Sequence, residues 1–327
     1  MDFKYQLQNH FLKFKTPFAI AHGTRDGTDI VLLYFTAENI TAIGEASLPP
    51  YLIETKESVH EFINSFFNDF KFTADLNHCL DYLQQYKSGN YAAKACIDIA
   101  FHNWFASYKH ISVWQLLGLK NTPLPPCTYT IAMGAPDLIR QKVKEAAGFR
   151  MIKVKLGGEH DKQIIDTIID STDTPLCVDV NQGWKDPDFA LDMINWLAER
   201  KIVFVEQPLP KSDKNGQQWL FNKSPLPIIA DEAVQTIDDI DAVKDFYHGI
   251  NVKLMKCGGI SPGLAMIQKA KSYHKLVLIG SMSETSCGIM AAAQLSSLAN
   301  WVDLDGPLLA SNNPFENVNY ENGVLQI

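Results

Sequence analysis

The hydrophobic and polar positions of this chain change rhythm near residue 122. Before that point, DIVLLYFTAENITAIGEA (29–46) alternates as two strands around a short turn, and helical patterns follow over roughly 54–70, 77–86 and 91–108. These elements predict an α+β domain over 1–122. The Pro-rich NTPLPP (121–126) marks its end. Beyond it, short apolar strands alternate with helical stretches. The strands fall near 128–133, 151–156, 176–181, 202–206, 226–231, 250–255, 276–281 and 301–305. Polar residues at the strand ends keep the period: Lys155, Asp179, Glu206, Asp231 and Lys253 are spaced by 24, 27, 25 and 22 residues. Such strand–helix alternation predicts a parallel sheet, and eight strands predict a barrel. About 22 residues follow the eighth strand, too few for a final helix and a tail, so the expected fold is a (β/α)7β TIM-like barrel over 123–311. The tail, 312–327, is expected to return to the first domain and complete it.

Alternation within the strands assigns side chains to faces. Lys153 and Lys155 oppose Ile152, Val154 and Leu156; Asp179 opposes Val178 and Val180; Glu206 opposes Val203 and Val205. Asp231, Lys253, Asp303 and Asp305 likewise oppose apolar neighbours. A barrel strand packs its apolar face on the helices, so the charged set points inward at the carboxyl ends, where barrel enzymes carry their sites. Lys256 is out of phase with Lys253 and is expected outside the site.

Composition narrows the function classes. Lys and Arg number 29 against 37 Asp and Glu, a formal net charge of −8 with no basic tract. This argues against nucleic acid and anionic membranes as main partners. No run approaches the ~18 apolar residues of a transmembrane helix, and the first fifteen residues lack a signal-peptide core. Six widely spread cysteines without a CxxC read as buried reduced thiols of a cytoplasmic protein.

The inward charges carry the chemistry. Eight ionisable groups in one barrel mouth are costly unless they pair or bind a metal. Asp179, Glu206 and Asp231 lie on three successive strands; an all-oxygen set favours a hard cation such as Mg2+, and no histidine sits at a strand end to favour zinc. The alternative, three helix caps or surface charges, explains one carboxylate better than three inward ones. Salt bridging explains one of Lys153, Lys155 and Lys253 easily and all three poorly.

The motifs KVK, DVNQGW, EQPLP, ADEA, NVKLMKCGG and DLDGP, in this order, resemble the enolase superfamily in its muconate-cycloisomerase-like branch. DLDGP narrows the resemblance to dipeptide epimerases of the L-Ala-D/L-Glu epimerase type. The resemblance implies that the first domain is a capping domain whose PFAIAHGTR stretch faces the substrate. It implies that Asp179, Glu206 and Asp231 bind Mg2+, that Lys155 and Lys253 act as the two bases, and that Lys153 stabilises charge. It also implies a role in murein peptide salvage, with a small dipeptide as substrate and room for a homo-oligomer.

The charge count agrees. Removing an α-proton beside a carboxylate leaves an enediolate with a second negative charge, which a net positive site suits. Crowding by cations is expected to lower the pKa of the acting lysine. Asp303 and Asp305 add nothing to an enediolate site, but they suit a substrate with a free ammonium; their structural alternative is pairing with Lys or Arg. Muconate cycloisomerases, o-succinylbenzoate synthases and N-acylamino acid racemases share the lysines and carboxylates, yet their substrates offer no ammonium. Arg25, in the Gly-rich GTRDGT, is expected to clamp a substrate side-chain carboxylate; hydrophobic dipeptides are the alternative preference. A catalytically dead binding module would have lost one of these groups, and none is missing.

Overall fold

The computed structural model describes residues 1–120 and 122–327. Asn121, the first residue of the proline-rich boundary, lies outside the described residues. The first domain is a three-stranded antiparallel sheet with helices on one face. Strand β1 (Phe3–Ile20) pairs with β2 (Gly23–Ala37), and β2 with β3 (Ile40–Leu48). Glu38 and Asn39 join β2 to β3 with φ of 47° and 61°. Two left-handed residues give a tight turn whose twist matches the strands. The alternation at the start of the chain is β1, whose length only the pairing with β2 defines.

Helices α1 (Lys56–Asp69), α2 (Leu76–Gln85) and α3 (Tyr91–Lys109) cover the sheet. Phe35, Phe66, Phe67, Phe72, Phe101 and Trp104 form an aromatic core between them. Helix α3 is apolar nearly all round because it is buried on two sides. Cys96, Ile97 and Phe101 face this core, while Ala95, Ile99 and Ala106 join the barrel core. Gly44 permits the close approach: a Cβ there would lie 1.8 Å from the Cys96 carbonyl oxygen. After a turn of helix, α4 (Val113–Leu116), the chain enters the barrel.

The barrel strands are β4 (Tyr129–Ile131), β5 (Ile152–Lys155), β6 (Leu176–Asp179), β7 (Ile202–Glu206), β8 (Ile228–Ala230), β9 (Gly249–Val252), β10 (Leu276–Gly280) and β11 (Trp301–Asp303), in sequential order round one parallel sheet. Thr128 N donates to Val302 O at 2.9 Å, closing the circle. Helices α5 (Pro136–Glu145), α6 (Asp161–Ile169), α7 (Pro187–Ala198), α8 (Lys214–Lys223) and α9 (Asp239–Val243) follow β4 to β8. A one-turn α10 (Leu254–Cys257) and α11 (Ile260–Ser272) follow β9; α12 (Ser286–Ala293) follows β10. After β11 there is only the single turn α13 (Gly306–Leu309), so the architecture is (β/α)7β with an antiparallel capping sheet.

Beyond β11, Asn312 Oδ1 accepts from Lys13 N at 2.8 Å and Ser311 N donates to Lys13 O at 2.8 Å, tying the tail to β1. The final hairpin, β12 (Tyr320–Glu321) and β13 (Val324–Leu325), instead packs on the barrel: Cys127 N donates to Gly323 O at 2.7 Å. All six cysteines are free thiols. Among the described residues, no helix is long and apolar enough to cross a membrane.

Trp104 anchors the capping core. Its indole N–H donates to Ala37 O at 3.0 Å and its ring meets Phe72 edge-on at 4.8 Å. Trp104→Ala is expected to lose about 3–5 kcal/mol in urea unfolding; a loss under about 1 kcal/mol would mean that the core collapses around the gap.

Candidate active site

The parallel register fixes the heights of the charged side chains. Lys155 pairs with Asp179 and Asp179 with Glu206 across neighbouring strands, so the three share one level at the carboxyl end. Asp231 follows the last residue of β8. One oxygen from each of Asp179, Glu206 and Asp231 lies within 4.8 Å of the others, and all three residues are buried. Glu206 Oε1 accepts from Asn251 Nδ2 at 2.7 Å. Its Oε2 is buried without a hydrogen bond, though Lys153 Nζ lies 2.8 Å away. Three converging buried carboxylates, an all-oxygen donor set, fit a hard divalent cation.

The lysines pair with these carboxylates. Lys153 Nζ lies 2.7 Å from Asp303, 2.8 Å from Glu206 and 3.1 Å from Asp179. Burial opposes its charge, but the carboxylates of Asp303, Glu206 and Asp179 hold its pKa well above the ordinary value. Lys155 Nζ meets Asp179 Oδ2 at 2.7 Å, and Lys253 Nζ meets Asp231 Oδ2 at 2.7 Å. For Asp179, burial works upward, yet Lys155 and Lys153 hold the carboxyl at about 2. Burial and then the Asp179 charge push Glu206 up to about 7.

Two sequence expectations need correction. The strand read over 250–255 ends at Val252; Lys253 has an extended backbone at the N-cap of α10. Lys256 therefore sits on a helical turn, where strand parity has no meaning, and it turns inward. Its Nζ donates to Asp231 Oδ1 at 2.6 Å and to the carbonyls of Asp231, Val234 and Asn251. Burial pulls the pKa of Lys253 down, but Asp231, in direct contact, outweighs burial and the neighbouring lysine and raises it.

Asp303 and Asp305 open on the same cavity as the lysines, but they are not equivalent. Asp303 accepts from Thr128 Oγ1 at 2.6 Å and from Lys153, the structural pairing that the sequence left open. Asp305 accepts from Thr130 N at 2.6 Å and has no cationic partner among the described residues. Burial and the charge of Asp303 push Asp305 up to about 7. Glu232 also turns into the mouth because β8 has ended, with Oε1 accepting from Asn181 Nδ2 at 3.2 Å. Thr128 and Thr130 were missed, because the inward reading followed the charged residues; Asn251 shares the strand face of Lys253 by parity and reaches Glu206.

The cavity measures about 780 Å³ and runs from these groups up to the β1–β2 hairpin. Arg25 reaches into it from that hairpin. Its guanidinium stands 5.8 Å from the Phe14 ring and 5.7 Å from the Tyr51 ring, and its Nε and Nη1 are buried without a hydrogen-bond partner. Burial lowers its pKa, with Tyr51 acting against that. Trp184 packs in the core, its indole donating to Asp161 at 2.8 Å, and does not line the mouth.

Comparison with known proteins decides the family. The model of the enolase C-terminal domain-like family matches residues 137–325, and that of the mandelate racemase / muconate lactonizing enzyme N-terminal domain matches 6–118. The chain belongs to the enolase superfamily. Within that superfamily it is similar to the L-Ala-D/L-Glu epimerase of Bacteroides thetaiotaomicron, at 42% identity over 97% of this chain and 83% of the relative. It is 33% identical to the L-Ala-D/L-amino acid epimerase of Pedosphaera parvula, over 99% and 95% of the two chains. The dipeptide epimerase of Enterococcus faecalis, solved with Mg and L-Leu-L-Tyr, superposes with a TM-score of 0.92 at 27% identity, covering 100% and 97%. With this kinship along its whole length, this enolase-superfamily chain is an isomerase.

Lys256 gives the first test of the site. Lys256→Met keeps the bulk but strips Asp231 Oδ1 and three carbonyls of their donor. Mg2+ affinity measured by calorimetry should weaken about 10- to 100-fold, as when a group that orients a metal ligand is lost. Unchanged affinity would return Lys256 to the bystander role that strand parity gave it.

Proposed function

We propose that this enzyme is a Mg2+-dependent dipeptide epimerase that inverts the α-carbon of the C-terminal residue of L-Ala-D/L-Glu by proton transfer between two lysines. The observation that carries the reading is angular. In an eight-stranded barrel, strands four apart stand opposite each other. Lys155 ends β5 and Lys253 follows β9, so their ammonium groups face each other across the mouth. The carboxylates of β6 to β8 fill the arc between them, and Asp303 and Asp305 of the β11 end stand opposite β7. A dipeptide has its groups in the matching order: terminal carboxylate, α-carbon, peptide, ammonium.

Each group then has one task. Asp179, Glu206 and Asp231 would hold Mg2+, which supplies Lewis-acid polarisation of the substrate carboxylate. Lys155 Nζ and Lys253 Nζ lie on opposite faces of the α-carbon; the neutral one takes the α-proton and the charged one returns a proton to the other face. Lys153, kept protonated by three carboxylates, stabilises the charge that grows on the substrate. Asp305, free of a cationic partner, takes the substrate ammonium, while Asp303 shares it with Lys153. Arg25, a buried guanidinium without an anion, takes the side-chain carboxylate. Residues 1–122 act as the cap and 123–311 as the catalytic barrel. The resemblance to L-Ala-D/L-Glu epimerases argues for work in the cytoplasm on murein peptides, a homo-oligomer is compatible with it, and the net charge of −8 argues against nucleic acid as a partner.

Incubation with L-Ala-L-Glu in D2O tests this reading. The α-hydrogen of Glu should exchange and the D-epimer appear, EDTA should stop both, and Mg2+ should restore them. Lys155→Ala and Lys253→Ala should each abolish epimerisation, and each should leave exchange confined to one epimer. Full activity after exhaustive chelation, or a Lys253→Ala enzyme that interconverts both epimers, would refute it.

A second test concerns the substrate side chain. L-Ala-L-Glu should be preferred over L-Ala-L-Leu, because an apolar side chain leaves Arg25 unpaired. Arg25→Ala should erase most of that ratio of kcat/KM values. A wild type that prefers L-Ala-L-Leu would assign the enzyme to hydrophobic dipeptides, in keeping with Phe14, Phe18 and Ile20 along the cavity.

A further inference from the structure

Glu45 is a fully buried carboxylate that the proposed chemistry does not use. It belongs to β3 of the first domain, yet its partners lie in the barrel. Glu45 Oε1 accepts from Thr285 N at 2.9 Å, and Oε2 accepts from the Thr285 hydroxyl and from Gly288 N at 3.0 Å. Thr285 is the N-cap of α12 and Gly288 is its third residue. A capping box satisfies these two donors from within one helix; here one carboxylate 240 residues upstream satisfies both.

The same face of β3 makes a second attachment. Ser47 donates its hydroxyl to Ser283 O at 2.7 Å, and its N–H meets Met255 Sδ at 3.4 Å. The opposite face, with Ala46 and Leu48, packs into the aromatic core. Glu45 and Ser47 thus fasten the segment 281–288 to a rigid sheet. That segment matters because Ser281, Met282 and Ser283 line the substrate cavity. Met282 Sδ accepts from Tyr51 OH at 2.9 Å, and the Tyr51 ring flanks the Arg25 guanidinium at 5.7 Å. A contiguous chain of contacts therefore runs from Glu45 through Met282 and Tyr51 to Arg25, and it touches none of the three metal carboxylates.

We propose that Glu45 and Ser47 are positioning residues for substrate selection, fixing the 281–288 segment so that Met282 and Tyr51 hold Arg25 where it meets the substrate side chain. This rests on the dipeptide-epimerase reading. Glu45→Gln keeps the size but offers one acceptor oxygen, and its NH2 must face Thr285 N or Gly288 N, donor against donor. The segment shifts to relieve this, and Met282 carries the shift to Tyr51.

The test compares kcat/KM for L-Ala-L-Glu and L-Ala-L-Leu in wild type, Glu45→Gln and Ser47→Ala, alongside Mg2+ calorimetry. The Glu-to-Leu ratio should fall about tenfold in Glu45→Gln and about threefold in Ser47→Ala, the scale of one buried hydrogen bond. The loss should lie mainly in KM for the acidic dipeptide, with Mg2+ affinity unchanged. Tyr51→Phe should lower the ratio too, and Glu45→Gln/Tyr51→Phe should fall short of the product of the single effects, because both act on one chain of contacts. Ser47→Ala, which removes one hydroxyl, carries the test if Glu45→Gln does not fold. Equal loss on both dipeptides, or an unchanged ratio in Ser47→Ala, would reduce these residues to structural clamps and overturn the inference. A wild type that turns over neither dipeptide would instead sink the functional reading, and this inference with it.

Discussion

One ammonium group holds the barrel mouth together. Lys153 Nζ contacts carboxylates of β6, β7 and β11 within 3.1 Å, and its side chain is 1% exposed. Each of those acids is buried, and a buried charge without a partner costs several kcal/mol. The mouth therefore exists only as a set: lysines and carboxylates must arrive together, and the barrel brings them together from strands far apart in sequence. Lys256 serves Asp231 as Lys153 serves Asp303. Held by four oxygen acceptors, it is a fixed cation beside the site rather than a mobile base. Lys155 and Lys253 differ from both in being tied to one carboxylate each, which leaves donors free to reach a substrate.

Closure of the sheet converts strand number into direction. Four strands of separation mean opposite sides, so the order of motifs along the chain becomes a compass round the mouth. This is the physical basis for assigning two faces of one carbon to two lysines. It also explains why Asp303 and Asp305 enter the mouth from the side opposite β7, where Lys153 bridges Asp303 to the carboxylate cluster. Among the inward acids, environment sets the difference: Asp179 lies between two lysines, whereas Asp305 sees Asp303 and no cation of its own.

The capping domain is fastened to this barrel by carboxylates at helix starts. Asp98 of α3 accepts from Ile260 N at 2.6 Å, at the first residue of α11. Gly259 makes this possible, since a Cβ there would meet Asp98 at 2.4 Å. Glu45 does the same for α12. Helix N-termini carry unpaired N–H groups and a partial positive charge, so an acid from another domain is a favourable cap. These two helices follow the segments that carry Lys253 and Met282. Domain docking and site geometry thus rest on the same hydrogen bonds.

Periodicity in the sequence was enough for the eight strands, their order and the inward phase of Lys153, Lys155, Asp179, Glu206 and Asp303, because these residues lie within regular strands, where parity holds. The family was legible too, in six motifs that each end a strand. Parity failed at Lys256, just past a strand end, where the backbone turns and alternation stops. The division of labour between Asp303 and Asp305 was hidden for another reason: it depends on Thr128, Thr130 and Lys153, up to 175 residues away. The role of Glu45 left no local mark, since its partners lie 240 residues downstream in another domain. The chain alone determined which side chains face inward, a property of neighbours along one strand. Which of them meet, and so which charges are free for a substrate, was decided by closure of the barrel and docking of the cap, because contacts between distant segments exist only once both surfaces are buried.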